Sequence, residues 1–237
     1  MVARMSWVGL IAGVAVSMVM VGFAGAQKTN GWVSLFDGKT LKGWSVHSGF
    51  AKYAAEEGAI VGTAVQGSPN SFLCTDKEYG DFVLEFDVKV DPAMNSGVQF
   101  RSHIAKEEMV FIFQDAKGQP RPNTIPKDRV YGYQVEIATA KAGTSGGVYD
   151  EARRAFFIAS IRGNAAAAAA FKENEWNKYR IECKGNSMKT WINDVPCVSY
   201  KDSLDAKGII GLQVHQVGAK DFKPYQVRWR NIRIKEL

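Results

Sequence analysis

The chain reads as an all-β sandwich of two antiparallel sheets. Nearly every segment alternates apolar and polar residues with a period of two. The alternating runs are short and bounded by Gly, Asn or Asp, and no run shows the 3.6-residue period of a long helix. Two sheets packed face to face, apolar faces inward, are what buries strands of this kind.

The first 26 residues stand apart from that pattern. Arg4 precedes an uncharged apolar run, Met5 to Phe23, that ends in Ala24-Gly25-Ala26, the small-x-small pattern of a signal-peptidase site. Residues 1–26 are therefore read as an export signal and residues 27–237 as one domain, placed in the periplasm or outside the cell. The same run approaches bilayer length, so an uncleaved anchor is the alternative.

The strands follow in order. Trp32 to Phe36 leads into the turn Asp37-Gly38-Lys39-Thr40, and Leu41 to Val46 comes next. Ala59 to Ala64 and Ser71 to Thr75 are short. In Phe82 to Val90, Phe82, Leu84, Phe86, Val88 and Val90 share one face, and Pro92 closes the run. Ile104 to Asp128 has poor periodicity and three prolines, so a long binding loop or lid is expected there. Ala138 to Gly147 is a Gly/Ser/Thr-rich loop. The run Ala165 to Ala170 is too short to be a stable helix alone and reads as a connector. Asn177 to Lys184, Met188 to Ile192 and Pro196 to Tyr200 form a meander, and Ile209 to His215 and Val227 to Ile234 complete the chain.

Composition narrows the function classes. The formal charge of +6 comes from Lys and Arg scattered among acids, with no basic stripe for nucleic acid. Three cysteines, Cys74, Cys183 and Cys197, leave at least one unpaired; a Cys183–Cys197 bridge and buried free thiols are both open. There is no Gly-x-Ser-x-Gly, no His-Glu-x-x-His and no phosphate-binding glycine loop, which argues against covalent acyl and nucleotide chemistry.

A candidate site emerges from strand parity. In Asn95 to Arg101, Val98 and Phe100 face one way while Asn95, Gly97, Gln99 and Arg101 face the other. Gln134 and Glu136 repeat that division in Tyr133 to Ile137, as do Gln213 and His215 in Leu212 to His215. Three strands thus present one polar face. On it His215 and Glu136 are candidate bases, and Arg101 is either an anion clamp or a cross-sheet partner of Glu136. Tyr149 and the charges of Asp150 to Arg154 reach toward the rim. Trp44, Tyr131 and Tyr133 are aromatic platforms for a sugar, although core packing is the commoner use of such residues.

Six stretches carry a resemblance: FDGKTLKGW (36–44), NSGVQFRS (95–102), YGYQVEI (131–137), NEWNKYRIECKGNSMKTWIND (174–194), GIIGLQVH (208–215) and VRWRNIRIKEL (227–237). In this order they resemble the 3-keto-disaccharide hydrolase domain family. The resemblance covers essentially all of residues 27–237 and implies a concanavalin-like jelly roll acting on glycosides whose sugar is oxidised at carbon 3. It implies a base near carbon 2, donors at the enolate oxygen and an acid for the leaving group. Mapped onto this chain, His215 or Glu136 is the base and Arg101 holds the keto or enolate oxygen. Tyr149 is the acid, while Asn95, Gln99, Gln134, Gln213 and Trp44 contact substrate. A divalent cation on Glu136 and His215 is the alternative electrophile. The chain departs from the family pattern at Ala138, where an Asp is expected. The rival reading is a carbohydrate-binding module without turnover.

Overall fold

The computed structural model describes residues 30–237 except 116 and 140. The export signal read in residues 1–26 lies outside the described residues. The first five strands are β1 (Trp32–Ser34), β2 (Trp44–His47), β3 (Lys52–Glu56), β4 (Ala59–Thr63) and β5 (Ser71–Thr75). Two long central ones follow, β6 (Phe82–Val90) and β7 (Ser96–Ile104), then β8 (Met109–Gln114), β9 (Pro120–Ile125) and β10 (Val130–Ile137). After β11 (Val148–Glu151), β12 (Phe157–Ala159) and the short helix α1 (Ala165–Ala170), the chain runs through β13 (Asn177–Lys184), β14 (Ser187–Ile192) and β15 (Val195–Lys201). It ends in β16 (Ile209–Val214) and β17 (Gln226–Glu236).

These strands build a jelly-roll sandwich of two antiparallel sheets. One is ordered β15-β14-β13-β6-β17-β4-β3, with β1 also on β17; the other is ordered β12-β11-β10-β7-β16-β5-β2. Period-two alternation decides what fills the space between them. Leu84, Phe86 and Val88 of β6 meet Val98 and Phe100 of β7, Tyr133 and Val135 of β10 and Leu212 of β16 in one core. Phe86 stacks on Tyr179 at 5.3 Å and Phe100 on Tyr133 at 5.7 Å between ring centroids. Cys74, Cys183 and Cys197 are all free and buried, so the core carries them as small apolar side chains rather than as a bridge.

The stretch read as an irregular loop, Ile104 to Asp128, is instead largely a β8–β9 hairpin. Both faces of MVFIFQ are apolar, so alternation is invisible in sequence, yet Val110 and Ile112 face outward and Phe113 packs on Phe156 at 5.9 Å. The prolines fit because the Asp115 N–H bonds Gln119 O, which makes Gln114 with Pro120 and Ile112 with Pro122 the non-hydrogen-bonded pairs, where no donor is needed. The alanine run forms α1, its Asn164 cap accepting from the Ala167 N–H at 3.0 Å and Ala167 and Ala170 buried; packing supplies what six residues lack alone.

Candidate functional site

The outer face of the seven-stranded sheet carries the site. In the β7–β10 ladder Gln134 lies opposite Gln99 and Glu136 opposite Gly97, and in the β10–β11 ladder Gln134 lies opposite Tyr149. Gly97 is a spatial requirement: a Cβ there would sit 2.4 Å from the Gln134 Cδ, so only a glycine lets that side chain lie across β7. Its amide is then fixed from below. Ser102 Oγ donates to Gln99 Oε1 at 2.7 Å and Gln99 Nε2 donates to Gln134 Oε1 at 2.7 Å, which turns Gln134 Nε2 toward Glu136 Oε2 at 3.4 Å. Asn95 Nδ2 donates to the other Glu136 oxygen at 2.6 Å.

Around Glu136 lies a cavity of about 210 Å³ whose walls are Asn70, Asn95, Gln134, Tyr149, Glu151, Phe157, Gln213 and His215. Burial lifts the Glu136 carboxyl to about 7 despite the donors from Asn95 and Gln134, and the charge of Glu151 adds to the rise. Burial and then the neighbouring Glu151 and Glu136 raise the Tyr149 phenol as well, so it stays protonated at neutral pH. Glu151 is held by Arg129 and by Asn70 Nδ2 at 3.3 Å. Asn70 Oδ1 also takes the Gln216 N–H at 3.0 Å, tying the turn that carries His215 to the same wall. His215 Nδ1 donates to Gln216 O at 2.8 Å, which leaves Nε2 as the ring nitrogen not engaged by that bond. Gln213 is fully buried, and neither its Oε1 nor its Nε2 has a hydrogen-bond partner among the described residues. A buried amide left in that state loses both its hydration and its hydrogen bonds, and a polar ligand in the cavity restores them.

The structure thus gathers Glu136, His215, Tyr149, Asn95, Gln134 and Gln213 from the residues named by parity and places Gln99 one layer beneath them. It does not gather Arg101 or Trp44. Arg101 sits at φ 48° where the β7–β16 and β7–β10 registers shift, and this bulge breaks the alternation that put it beside Gln99. Its guanidinium is buried at the end of the sandwich, donating to Gly80 O at 2.9 Å, Gly185 O at 2.7 Å and Asp81 Oδ1 at 2.7 Å, so it neither pairs with Glu136 nor clamps an anion in the cavity. Trp44 packs in the core with its Nε1 on Leu35 O at 2.8 Å, and Tyr133 is likewise a core residue.

Sequence reasoning missed Asn70 and Phe157 and underweighted Glu151. Glu151 shares strand parity with Tyr149, a signal that was present; Asn70 lies in the irregular segment just before β5 and has none. Of the remaining charges after Tyr149, Asp150 pairs with Arg153 at 2.9 Å and with Arg154, and Arg153 reaches Asp205 at 2.7 Å, a buried network away from the cavity. The other two histidines lie elsewhere: His47, at the end of β2, pairs with Asp128 at 2.6 Å and His103 of β7 with Asp205 at 2.8 Å, whereas His215 follows Val214, the last residue of β16. For the cation reading, Glu136 and His215 do line one cavity, but among the described residues no group of three or more His, Cys, Asp or Glu is disposed to hold a metal ion.

A sequence profile for the 3-keto-alpha-glucoside-1,2-lyase-like domain matches residues 31–235. The chain belongs to this family. No curated protein matches it significantly. Solved structures share the family member's architecture. A Bacillus subtilis protein of unknown function with a galectin-like fold superposes with a TM-score of 0.55 at 11% identity, over 83% of this chain and 90% of its own. A Parabacteroides distasonis protein provisionally named a glycosyl hydrolase gives 0.53 at 22% identity, over 88% of this chain and 100% of its own. The carbohydrate-binding module CBM66 of Bacillus subtilis gives 0.52 at 18% identity, over 82% and 96%. At these identities the likeness is one of fold.

Proposed function

We propose that this family member is an exported carbohydrate-active enzyme that cleaves glycosides oxidised at carbon 3. The observation that carries the reading is Glu136, a buried carboxyl whose pKa is lifted to about 7, in a polar cavity whose wall also includes the buried, unpartnered Gln213 amide. A 3-keto group acidifies the hydrogen on carbon 2. Glu136, oriented at both oxygens by Asn95 and Gln134, removes that proton, and the electron pair moves to the keto oxygen as an enolate. The Gln213 Nε2 takes the role assigned to Arg101, donating to that oxygen. When the enolate collapses, the bond from carbon 1 to the glycosidic oxygen breaks and a double bond forms between carbons 1 and 2. The protonated Tyr149 donates its proton to the departing oxygen, and His215 Nε2 accepts a hydrogen bond from a substrate hydroxyl. Water then adds at carbon 1, giving one proton to the Tyr149 phenolate, and Glu136 returns its proton to carbon 2, which restores the keto sugar and completes net hydrolysis. No second carboxylate at a glycosidase spacing is required.

The purified protein is incubated with 3-keto-trehalose or a 3-keto-glucoside and release of the leaving sugar is followed. Glu136→Gln is expected to lower kcat by about 100-fold or more while the melting temperature is kept or raised. Release unaffected by that change would refute Glu136 as the base. Binding of unoxidised glycans without turnover of any 3-keto substrate would make the domain a carbohydrate-binding module.

A further inference from the structure

Phe157 is the one apolar side chain among the described residues lining the cavity. It lies opposite Tyr149 in the β11–β12 ladder and stands edge-on to it, ring centroids 5.3 Å apart at 72°. Phe157 is 36% exposed; the neighbouring Phe156 is exposed to a similar degree but packs against Phe113 of the β8–β9 hairpin at 5.9 Å and does not line the cavity. β12 is the last strand of its sheet, so a group seated on Phe157 extends past the sheet edge and meets no further strand. The cavity itself, about 210 Å³, is below the usual range for a drug-sized ligand and suits one sugar ring rather than two.

We propose that Phe157 is the platform for the leaving group and makes this site select glycosides whose leaving group presents a flat apolar face, aromatic aglycones above all. The inference rests on the reading given under Proposed function and deepens it. The oxidised ring occupies the polar cavity over Glu136 and Gln213. Tyr149, which protonates the departing oxygen, fixes where that oxygen lies, and the ring touching Tyr149 is Phe157. A leaving group attached to that oxygen therefore lies against the Phe157 face and stacks there.

The test compares 4-nitrophenyl and methyl 3-keto-glucosides in wild type, Phe157→Ala and Phe157→Leu. The wild type is expected to favour the aryl substrate through KM. In Phe157→Ala the aryl-to-methyl ratio of kcat/KM is expected to fall about 5- to 10-fold, with Phe157→Leu between the two. An unchanged ratio, or equal losses on both substrates, overturns the platform while leaving the elimination reading intact. If neither substrate is cleaved, the elimination reading fails separately, and calorimetry of the aryl substrate decides the platform: a 5- to 10-fold weaker Kd in Phe157→Ala sustains it, and an equal Kd removes it.

Discussion

Glu136 balances two opposing effects. Burial favours its proton, while donors from Asn95 and Gln134 favour its charge, and burial wins, placing it at about 7 against an ordinary 4.5. In its proposed role as base it must be ionised, so activity is expected to rise with pH along a limb centred near 7. Glu151→Gln removes the nearby like charge and is expected to move that limb to lower pH, measured as the kcat/KM profile. The same shift has a stability consequence of fixed sign. Below about pH 4.5 both folded and unfolded chains hold the proton and there is no effect; between about 4.5 and 7 the folded chain keeps a proton that the unfolded chain releases, so stability falls by up to about 3 kcal/mol and then levels off. Glu136→Gln is therefore expected to raise the melting temperature at pH 8 relative to wild type and much less at pH 4. Equal changes at the two pH values would show that Glu136 is not strained by ionisation.

β7 shows how one element serves two ends of the molecule. Its first half follows strict alternation and supplies Gly97 and Gln99 to the site. The bulge at Arg101 then redirects a charged side chain into the end of the sandwich, where its donors meet the carbonyls of Gly80 and Gly185. Arg101 itself is fully buried and also pairs with Asp81 at 2.7 Å, so removing its guanidinium strips Gly80 O, Gly185 O and Asp81 of their shared donor and leaves a gap at the end of the sandwich. Arg101→Met is expected to cost about 3 kcal/mol or more in denaturant unfolding. The activity of molecules that remain folded is expected to stay within a few-fold of wild type. A loss of kcat exceeding about 100-fold at full stability would return Arg101 to the chemistry.

The whole molecule is held by its sandwich core rather than by covalent links. All three thiols are buried and pushed upward by burial, Cys183 to about 12 and Cys197 to about 11, so thiolate is scarce at neutral pH. A reductant is expected to leave the melting temperature unchanged, and a thiol reagent to modify none of the three until denaturant is added. Rapid modification of the native protein would mean that the sandwich opens locally near one of them.

What was legible from residues alone follows from periodicity. A strand period of two decides which side chains share a face, and that logic placed Glu136, Gln134, Gln213, Asn95 and His215 together and packed Val98 and Phe100 inward. The β8–β9 hairpin escaped because both of its faces are apolar, and Arg101 was misplaced because a single bulge reverses parity without a marker in the residues around it. Only tertiary structure decided that Asn70 and Phe157 close the cavity, since Asn70 arrives from the irregular segment before β5 and Phe157 from the short edge strand β12, whose parity the sequence does not mark. It alone decided the chemistry as well: a carboxyl titrates near 7, and an amide goes unpartnered, because of what surrounds them in space.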